Sequence, residues 1–335
     1  MRRLLFCLDP ERAHNLAIYL LRARFAPLMP LLHDPKKYQQ PLEVFGLQFP
    51  NPVGLAAGWD KNAVCFDALF RLGFGFVEVG GVTPKPQTGN PKPRLFRIPK
   101  KKALINRMGF ANAGLDALVS HLQTRKEPGI LGVNIVKNRD TPLSHALDDY
   151  TLCLKGVFPF VDYITVNISS PNTPGLRELQ SDHYLRDLLQ GLRTVKKNMS
   201  AMYHRDVPLL VKTSVDLPET EYARFVQTII DFDIDGLIIS NTTVDHTAVA
   251  NDKYGNEAGG LSGKPLLEKT AQMIRAISNL SEKKLPIIGC GGILSGKDAM
   301  MLKDSGASLF QIMTGFVYRG PALIKEILRA IAAKQ

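Results

Sequence analysis

The sequence predicts an α/β fold: a closed (β/α)8 barrel, or TIM barrel, with a small N-terminal helical extension. The chain has 335 residues, and α/β barrels commonly exceed about 250 residues as a single domain. After residue 50, eight short apolar runs rich in β-branched residues alternate with stretches of helical spacing. Such alternation is typical of a parallel sheet with crossover helices, and eight repeats favour a closed barrel over an open doubly wound sheet.

Residues 1–40 form the predicted extension, and residues 41–335 form the predicted barrel domain. Asp9 can cap a helix that begins at Pro10, and apolar residues then recur at helical spacing up to residues 25–27. A second short apolar piece follows at residues 26–33. Two interpretations stay open. The extension packs on the body or on a partner subunit, or it lies on a membrane, because a basic rim around an apolar face is typical of interfacial helices.

The barrel elements follow from apolar runs of strand length and from apolar residues at helical spacing. The predicted strands are 53–57, 76–80, 131–136, 163–168, 209–213, 236–240, 286–289 and 309–313. The predicted helices are 62–72, 114–123, 182–198, 219–231, 266–280, 297–304 and 321–332.

Two insertions are long for barrel loops, and long loops in a compact domain usually cover a site. The first, residues 82–112, begins with a proline-rich stretch, after which the runs 95–98 and 103–105 can pair as a hairpin. The second, residues 242–263, is polar and ends in a glycine-rich run. We therefore expect both insertions to lie near the functional site.

The formal net charge is +11, which leaves nucleic acid, anionic lipid or an anionic substrate open as partners. The excess is localised: residues 1–40 hold seven basic and three acidic residues, and residues 79–115 hold eight basic residues and no acidic ones. That distribution favours lipid and substrate electrostatics over nucleic acid. The four cysteines lie far apart, so we expect a reduced, intracellular protein without a disulfide framework. No apolar run approaches the roughly 20 residues of a membrane span.

In a parallel barrel the active site lies at the carboxyl ends of the strands, where this sequence places amides, hydroxyls and glycines. The residues concerned are Lys61, Gly81, Asn134, Asn167, Ser170, Asn172, Lys212, Ser240, Asn241, Thr242, Gly292 and Thr314. Histidines are absent from this set and carboxylates nearly so, which argues against metal-dependent hydrolysis and paired-carboxylate chemistry and predicts no metal. Any single Asn or Thr here can also be explained as a helix or turn cap.

Lys212 differs, because it interrupts a run that is expected to be buried, and a buried lysine needs an anionic partner to stay charged. Gly291 and Gly292, with Thr314 and Gly315, fit the phosphate cradle that follows the last two strands of many barrels. Together these groups indicate a cofactor with a phosphate and a polar ring edge. Lys212 suits the pyrimidine end of a flavin, where a cation stabilises negative charge.

Longer motifs, spread in order over essentially the whole chain, carry a resemblance to a known family. They include Asn51-Pro-Val-Gly-Leu-Ala-Ala-Gly-Trp-Asp-Lys-Asn62, Ile105-Asn-Arg-Met-Gly-Phe110 and Val166-Asn-Ile-Ser-Ser-Pro-Asn-Thr-Pro-Gly175. Residues 81–97, 236–243, 259–263 and 286–293 extend the match. The sequence resembles dihydroorotate dehydrogenase. Serine at position 170, where the soluble class uses cysteine, together with the extension, is similar to class 2, the membrane-associated and quinone-dependent class.

The resemblance implies roles for individual residues. One FMN per chain would be held by Ala57, Gly58, Trp59, Asp60, Lys61, Gly81, Asn134, Asn167, Lys212, Ser240, Gly263, Gly292, Met313 and Thr314. Dihydroorotate or orotate would be held by Lys61, Asn106, Arg107, Met108, Gly109, Phe110, Asn167, Asn172, Asn241 and Thr242. Ser170 would remove the C5 proton while C6 delivers hydride to flavin N5. Two residues depart from the family pattern. Gly81 stands where the family often has a hydroxyl residue, so a backbone contact must replace any side-chain hydrogen bond to FMN there. Met313 stands where the family has an aromatic residue.

The implied reaction is oxidation of (S)-dihydroorotate to orotate in pyrimidine (UMP) biosynthesis, with a membrane quinone entering between the extension and the barrel. We then expect a monomeric peripheral protein on the cytoplasmic face of the inner membrane, bound to its anionic surface through residues 1–40 and not to nucleic acid. Three alternatives stay open: a soluble dihydroorotate dehydrogenase that reduces fumarate or NAD, a flavin barrel that reduces uridine in tRNA, and a catalytically silent barrel that binds a pyrimidine.

Overall fold

The eight predicted strands are all present in the computed structural model, which describes residues 2–22 and 39–334. In chain order the strands are β1 (Leu42–Val44), β2 (Leu47–Phe49), β3 (Val53–Leu55), β4 (Phe76–Val82), β5 (Leu95–Ile98), β6 (Ala103–Asn106), β7 (Ile130–Ile135), β8 (Tyr163–Asn167), β9 (Leu209–Thr213), β10 (Gly236–Ile239), β11 (Gly260–Gly263), β12 (Ile287–Cys290) and β13 (Leu309–Ile312).

Eight of these strands close into one barrel, in the order β3, β4, β7, β8, β9, β10, β12 and β13, with β13 pairing back to β3. All neighbours run parallel, and the register places Asn167 beside Lys212 at the carboxyl ends of β8 and β9. Both faces of the strands are buried, since helices cover the outside, and this explains why they read as continuous apolar runs rather than alternating ones. The predicted (β/α)8 barrel is confirmed.

Helices follow the barrel strands and pack their apolar faces onto the outside of the barrel. The helices are α1 (Arg2–Cys7), α2 (Pro10–Arg22), α3 (Phe66–Arg71), α4 (Leu115–Leu122), α5 (Ala146–Val157), α6 (Asp182–Tyr203), α7 (Tyr222–Asp231), α8 (Leu267–Leu280), α9 (Gly296–Ser305), α10 (Thr314–Arg319) and α11 (Ala322–Ala332). The sequence analysis missed α5, although its buried residues Ala146, Tyr150, Cys153, Leu154 and Val157 recur at helical spacing.

A hairpin of β1 and β2, which was not predicted, plugs the amino end of the barrel. Val44 and Phe49 of this hairpin belong to the same buried cluster as Phe76 and Leu309 inside the barrel. The rings of Phe49 and Phe76 meet edge to face, with centroids 5.3 Å apart. Because side chains fill the interior at this end, the room for a ligand within the described part of the barrel lies at the carboxyl end.

The two insertions meet in one antiparallel sheet with the strand order β11, β6, β5. The hairpin of β5 and β6 is the one predicted for the first insertion. Strand β11, which ends the second insertion, pairs with β6 so that Gly260 lies opposite Asn106, and this contact was not predicted. Arg107 adds an ion pair to Glu257, with 2.7 Å between Nη1 and Oε2. The two insertions are therefore joined to each other.

The described part of the extension consists of α1 and α2. Asp9 caps α2 as predicted, since its Oδ1 accepts hydrogen bonds from the backbone N–H groups of Glu11 and Arg12, both at 3.0 Å. Glu11 then ties α2 to the first insertion through an ion pair with Arg94 at 2.8 Å. The predicted end of this helix at residues 25–27 and the second apolar piece at 26–33 lie outside the described residues. No helix within residues 2–22 and 39–334 is long and apolar enough to cross a membrane.

Candidate active site

A cavity of about 1220 Å³ lies at the carboxyl ends of the barrel strands and continues to α1 and α2. One small ligand usually needs a pocket of about 300–1,000 Å³, so this cavity has room for more than one. The predicted site residues that line it are Ala57, Gly58, Trp59, Lys61, Gly81, Asn106, Met108, Gly109, Phe110, Asn134, Asn167, Asn172, Lys212, Ser240, Asn241, Thr242, Gly263, Gly292, Met313 and Thr314. Asp60, Arg107 and Ser170 are not part of its lining.

The floor of the cavity carries a chain of three asparagine side chains, from β7, from β8 and from the loop after β10. Asn241 Nδ2 donates to Asn167 Oδ1 at 3.3 Å, and Asn167 Nδ2 donates to Asn134 Oδ1 at 2.9 Å. The amide nitrogens of Asn134 and Asn167 each have a second N–H, whereas the second N–H of Asn241 donates to Ser169 Oγ at 3.1 Å. All three residues border the cavity. The chain therefore offers a polar edge to a ligand that carries adjacent carbonyl and N–H groups.

Lys212 lies beside this amide chain and is only 5% exposed. Within the described ranges, no hydrogen bond or ion pair engages its ammonium group. A buried cation without a direct partner is costly, and an anionic or electron-rich ligand edge in the cavity would relieve that cost. This position fits the role predicted for Lys212.

Another part of the cavity lining consists of glycines and hydroxyl residues. The φ angles of Gly263 and Gly292 are +100° and +81°, a region that glycine adopts readily and other residues rarely do. A Cβ atom at Gly292 would lie 2.5 Å from the backbone nitrogen of Leu267, the first residue of α8. Beside them, the hydroxyls of Ser262 and Thr314 lie 2.8 Å apart. Backbone without side chains, hydroxyl donors and the start of a helix therefore lie together here, and such groups suit a phosphate.

Lys61 borders the cavity where the barrel meets the extension. Burial lowers the pKa of Lys61 to about 8, although the Glu11 and Asp60 carboxylates oppose this shift. Asp60 itself faces away from the cavity, because its two carboxylate oxygens accept hydrogen bonds from the backbone N–H groups of Val64 and Cys65 at 2.9 and 2.8 Å. Asp60 thus holds the loop that carries Lys61, and Lys61 is a cation near neutral pH that can bind a carboxylate.

The first insertion and the loop after β8 meet at two asparagines. Asn172 Nδ2 donates to Asn106 Oδ1 at 3.2 Å, and both side chains line the cavity. Nearby, the buried Thr242 Oγ1 has no hydrogen-bond partner among the described residues. Arg107 points the other way, towards Glu257. The residues around Asn106 can therefore receive a polar ligand, whereas the guanidinium of Arg107 supports the covering sheet.

Ser170 lies in the loop directly after β8 and is 7% exposed. Its Oγ accepts a hydrogen bond from the backbone N–H of Asn172 at 3.3 Å. Three residues along, Thr173 Oγ1 is buried and has no partner within the described part of the chain. The structure thus joins Ser170 to Asn172, which lines the cavity, while Ser170 itself is not among the lining residues.

The end of the cavity at the extension is apolar. Its lining from the extension consists of Leu5, Phe6, Pro10, Glu11, Ala13, His14, Ala17, Leu20 and Leu21. Trp59 meets His14 and Phe316 edge to face, with centroids 5.3 and 5.6 Å away. Burial, with the charge of Lys61, lowers the pKa of His14 to about 3, so this imidazole is neutral at pH 7. This end of the cavity, which we call the apolar corridor, suits an apolar, uncharged ligand.

The sequence analysis missed a polar group inside the barrel. Glu78 on β4 is fully buried and accepts hydrogen bonds from Asn134, Tyr163, Thr165 and Gln311. An acid inside a strand that is otherwise apolar was a detectable signal, of the kind that singled out Lys212. Among the described residues, no group of three or more His, Cys, Asp and Glu side chains is arranged to hold a metal ion.

Comparison with known proteins gives concordant results. Residues 41–334 match the family model described as dihydroorotate dehydrogenase. A protein named dihydroorotate dehydrogenase (quinone) from Stenotrophomonas maltophilia is 50% identical, over 100% of this chain and 95% of its own length. One of the same name from Acinetobacter baylyi is 50% identical over 98% of both chains. The crystal structure of DHODH from Eimeria tenella in complex with ferulenol superposes with a TM-score of 0.90 at 35% identity, covering 97% of this chain and 91% of that one.

Proposed function

Because the chain belongs to the dihydroorotate dehydrogenase family and is a quinone-dependent member of it, we propose that it binds FMN, oxidises (S)-dihydroorotate with Ser170 as the base, and passes the electrons to a quinone along the extension. The observation that carries this proposal is the single cavity with three chemically distinct parts: a phosphate-like cradle, a polar floor and an apolar corridor.

The lining residues fit FMN. Gly263, Gly292 and Thr314 would hold its phosphate, because backbone approaches closely there and a hydroxyl is available. Lys212 and Asn134 would hold the pyrimidine edge of its ring, which supplies the electron-rich partner that the buried ammonium otherwise lacks. When bound, the flavin supplies N5 as the acceptor for the hydride from C6 of the substrate.

The substrate would lie among Lys61, Asn106, Asn172, Asn241 and Thr242. Lys61, which is cationic at neutral pH, would pair with its carboxylate. The asparagine amides would bind the carbonyl and N–H groups of its ring and stabilise charge that develops during proton removal. The partnerless Thr242 hydroxyl supports a polar ligand at this place.

Ser170 would take the proton from C5 of the substrate. Serine is a weak base at its ordinary pKa, so exclusion of water by the first insertion and by the loop after β8 would assist it. The buried Thr173 hydroxyl, three residues away, supports a relay that carries the proton onward. Because Ser170 is not among the residues that line the cavity, a change in the loop after β8 would bring its Oγ to the substrate in the complex.

A substitution of Ser170 tests the base. Mixing the wild-type protein with dihydroorotate should bleach the visible flavin absorbance. We expect Ser170→Ala to retain FMN and to slow bleaching by at least about 10²-fold. Bleaching at the wild-type rate would refute the assignment of Ser170, and a wild-type protein without a flavin spectrum would refute the proposal as a whole.

The extension would deliver the quinone and bind the anionic cytoplasmic face of the inner membrane as part of a monomer. The apolar corridor and the basic composition of residues 1–40 support this. Deleting residues 1–40 should abolish quinone reduction and vesicle binding but spare flavin bleaching by dihydroorotate. Unchanged quinone turnover in the truncated protein would contradict this route.

A further inference from the structure

Glu78 lies at one end of the amide chain on the floor of the cavity. Asn134 Nδ2 donates to Glu78 Oε1 at 2.9 Å, and Asn134 Oδ1 in turn accepts from Asn167. On its other side, Glu78 Oε2 accepts from Gln311 Nε2 at 2.8 Å, Tyr163 Oη at 3.1 Å and Thr165 Oγ1 at 3.2 Å. Four donors thus converge on one fully buried carboxylate.

A carboxylate accepts hydrogen bonds and donates none, and this property fixes the orientation of every amide in the chain. Asn134 must turn its NH2 group towards Glu78, which leaves its oxygen facing Asn167. Asn167 must then donate to Asn134, and its own oxygen accepts from Asn241. All three side chains therefore donate along the chain towards the interior of the barrel. Asn241 also donates to Ser169 Oγ at 3.1 Å, and its oxygen accepts from the backbone N–H of Thr242 at 2.8 Å.

The orientation of the Gln311 amide gives independent evidence that Glu78 orients its neighbours. Its Nε2 donates to Glu78, while its buried Oε1 has no hydrogen-bond partner among the described residues. An amide that was free to turn would not leave a buried carbonyl oxygen unpaired, since that costs free energy. The carboxylate therefore decides which end of each neighbouring amide it faces.

We propose that Glu78 is a positioning residue, which sets the donor and acceptor pattern that Asn134, Asn167 and Asn241 present to the ligands in the cavity. The inference rests on the proposed function, because these three asparagines would bind the flavin and substrate rings. Glu78 acts through Asn134 and touches neither ligand itself.

Glu78→Gln would reverse this pattern. The hydroxyls of Tyr163 and Thr165 can accept as well as donate, but Gln311 Nε2 donates only and favours the oxygen of the introduced glutamine on its side. We therefore expect the NH2 group of the introduced glutamine to face the NH2 group of Asn134. Asn134 must then turn, and Asn167 must follow. Asn167 cannot turn without loss, because its oxygen also accepts from the backbone N–H of Ser169 at 3.3 Å. One buried donor stays unpaired, and orotate affinity should fall by about 10- to 10²-fold.

A double variant offers a specific rescue. In Glu78→Gln with Asn134→Asp, the introduced aspartate accepts from the introduced glutamine on one side and from Asn167 on the other, so the orientation of Asn167 and Asn241 is restored. We expect the double variant to bind orotate at least about 10-fold more tightly than Glu78→Gln alone, a coupling that independent sites do not show. Asn134→Asp alone places two carboxylates together and should also lose affinity.

The measurement is the dissociation constant of orotate, read from the change in the flavin spectrum, with thermal unfolding and FMN content recorded for each variant. Tyr163→Phe is the matched control: it removes one donor from Oε2 but leaves the carboxylate, so orotate affinity should stay within about threefold of the wild type. Orotate binding by the wild type is scored first and tests the proposed function separately.

Wild-type orotate affinity in Glu78→Gln, or a double variant no better than the weaker single variant, would overturn the proposal. An equal loss in Tyr163→Phe would overturn it too, because the effect would then be general destabilisation of the interior. If Glu78→Gln yields no folded holoenzyme, recovery of folded holoenzyme in the double variant supports the proposal, and failure of both variants counts against it.

Discussion

The close approach of Gly292 to the start of α8 predicts a measurable consequence for FMN binding. Gly292→Ala places a Cβ 2.5 Å from both the nitrogen and the Cα of Leu267, whereas ordinary contacts of this kind begin near 3.4 Å. The positive φ of +81° costs a non-glycine residue about 1 kcal/mol, and overpacking against backbone costs about 1–3 kcal/mol. We therefore expect a destabilisation of about 2–4 kcal/mol.

For a chain of 335 residues, the entropy of unfolding is about 0.7 kcal/mol/K, so this destabilisation corresponds to a Tm lower by about 3–6 °C. If FMN binds as proposed, the shift of the backbone should also break at least one charge-assisted hydrogen bond to its phosphate and weaken FMN binding by about 10- to 10²-fold. Thermal unfolding and FMN titration of the apoprotein measure the two effects.

Gly46→Ala is the matched control, because Gly46 has a similar φ of +71° and nothing lies within 4 Å of its added Cβ. It isolates the backbone cost and should lower Tm by only about 1–2 °C, with FMN affinity unchanged. The reasoning fails if Gly292→Ala unfolds at the same temperature as Gly46→Ala and binds FMN as tightly as the wild type.

Three further predictions concern charge. Lys212→Met removes the buried ammonium group and should weaken FMN binding by at least about 10-fold with little loss of Tm. Equilibrium dialysis measures the FMN affinity, and an affinity equal to that of the wild type would contradict this prediction. Burial lowers the pKa of Lys61 to about 8, so its ammonium group is charged below pH 8 and loses its charge above it. The dissociation constant of orotate should therefore be constant below pH 8 and rise about tenfold per pH unit above it. A dissociation constant that stays constant up to about pH 9.5 would exclude Lys61 as the partner of the orotate carboxylate. The Glu11 carboxylate raises the pKa of Lys61. In Glu11→Gln, the pH above which the dissociation constant of orotate begins to rise should therefore be lower than in the wild type. The same onset pH in both proteins would show that Glu11 and Lys61 are uncoupled.

The barrel was predictable because its strands are buried on both faces and therefore stand out as apolar runs. The cavity lining was largely predictable from two sources: the rule that strand ends form the site, and the family resemblance. Glu78 was not predicted although the same signal identified Lys212, because it lies within β4 and not at the carboxyl end of that strand.

Other parts could not be predicted from local patterns. Strands β1 and β2 span three residues each, which is too short for a two-residue period to register. The pairing of β6 with β11 joins residues more than 150 positions apart, and no spacing within either insertion indicates the other. The absence of Ser170 from the cavity lining depends on loop conformation, which residue types alone do not specify.

The sheet that joins the two insertions limits how this enzyme can be re-engineered. Strand β6 of the first insertion is the central strand of this sheet. Exchanging the second insertion alone would leave β6 with an unpaired edge, and exchanging the first alone would leave β11 without its partner strand. Exposed edges promote aggregation. A chimera that takes only one insertion should therefore express poorly, while one that takes both together can fold. The two segments form one exchangeable module, although they lie in distant parts of the gene.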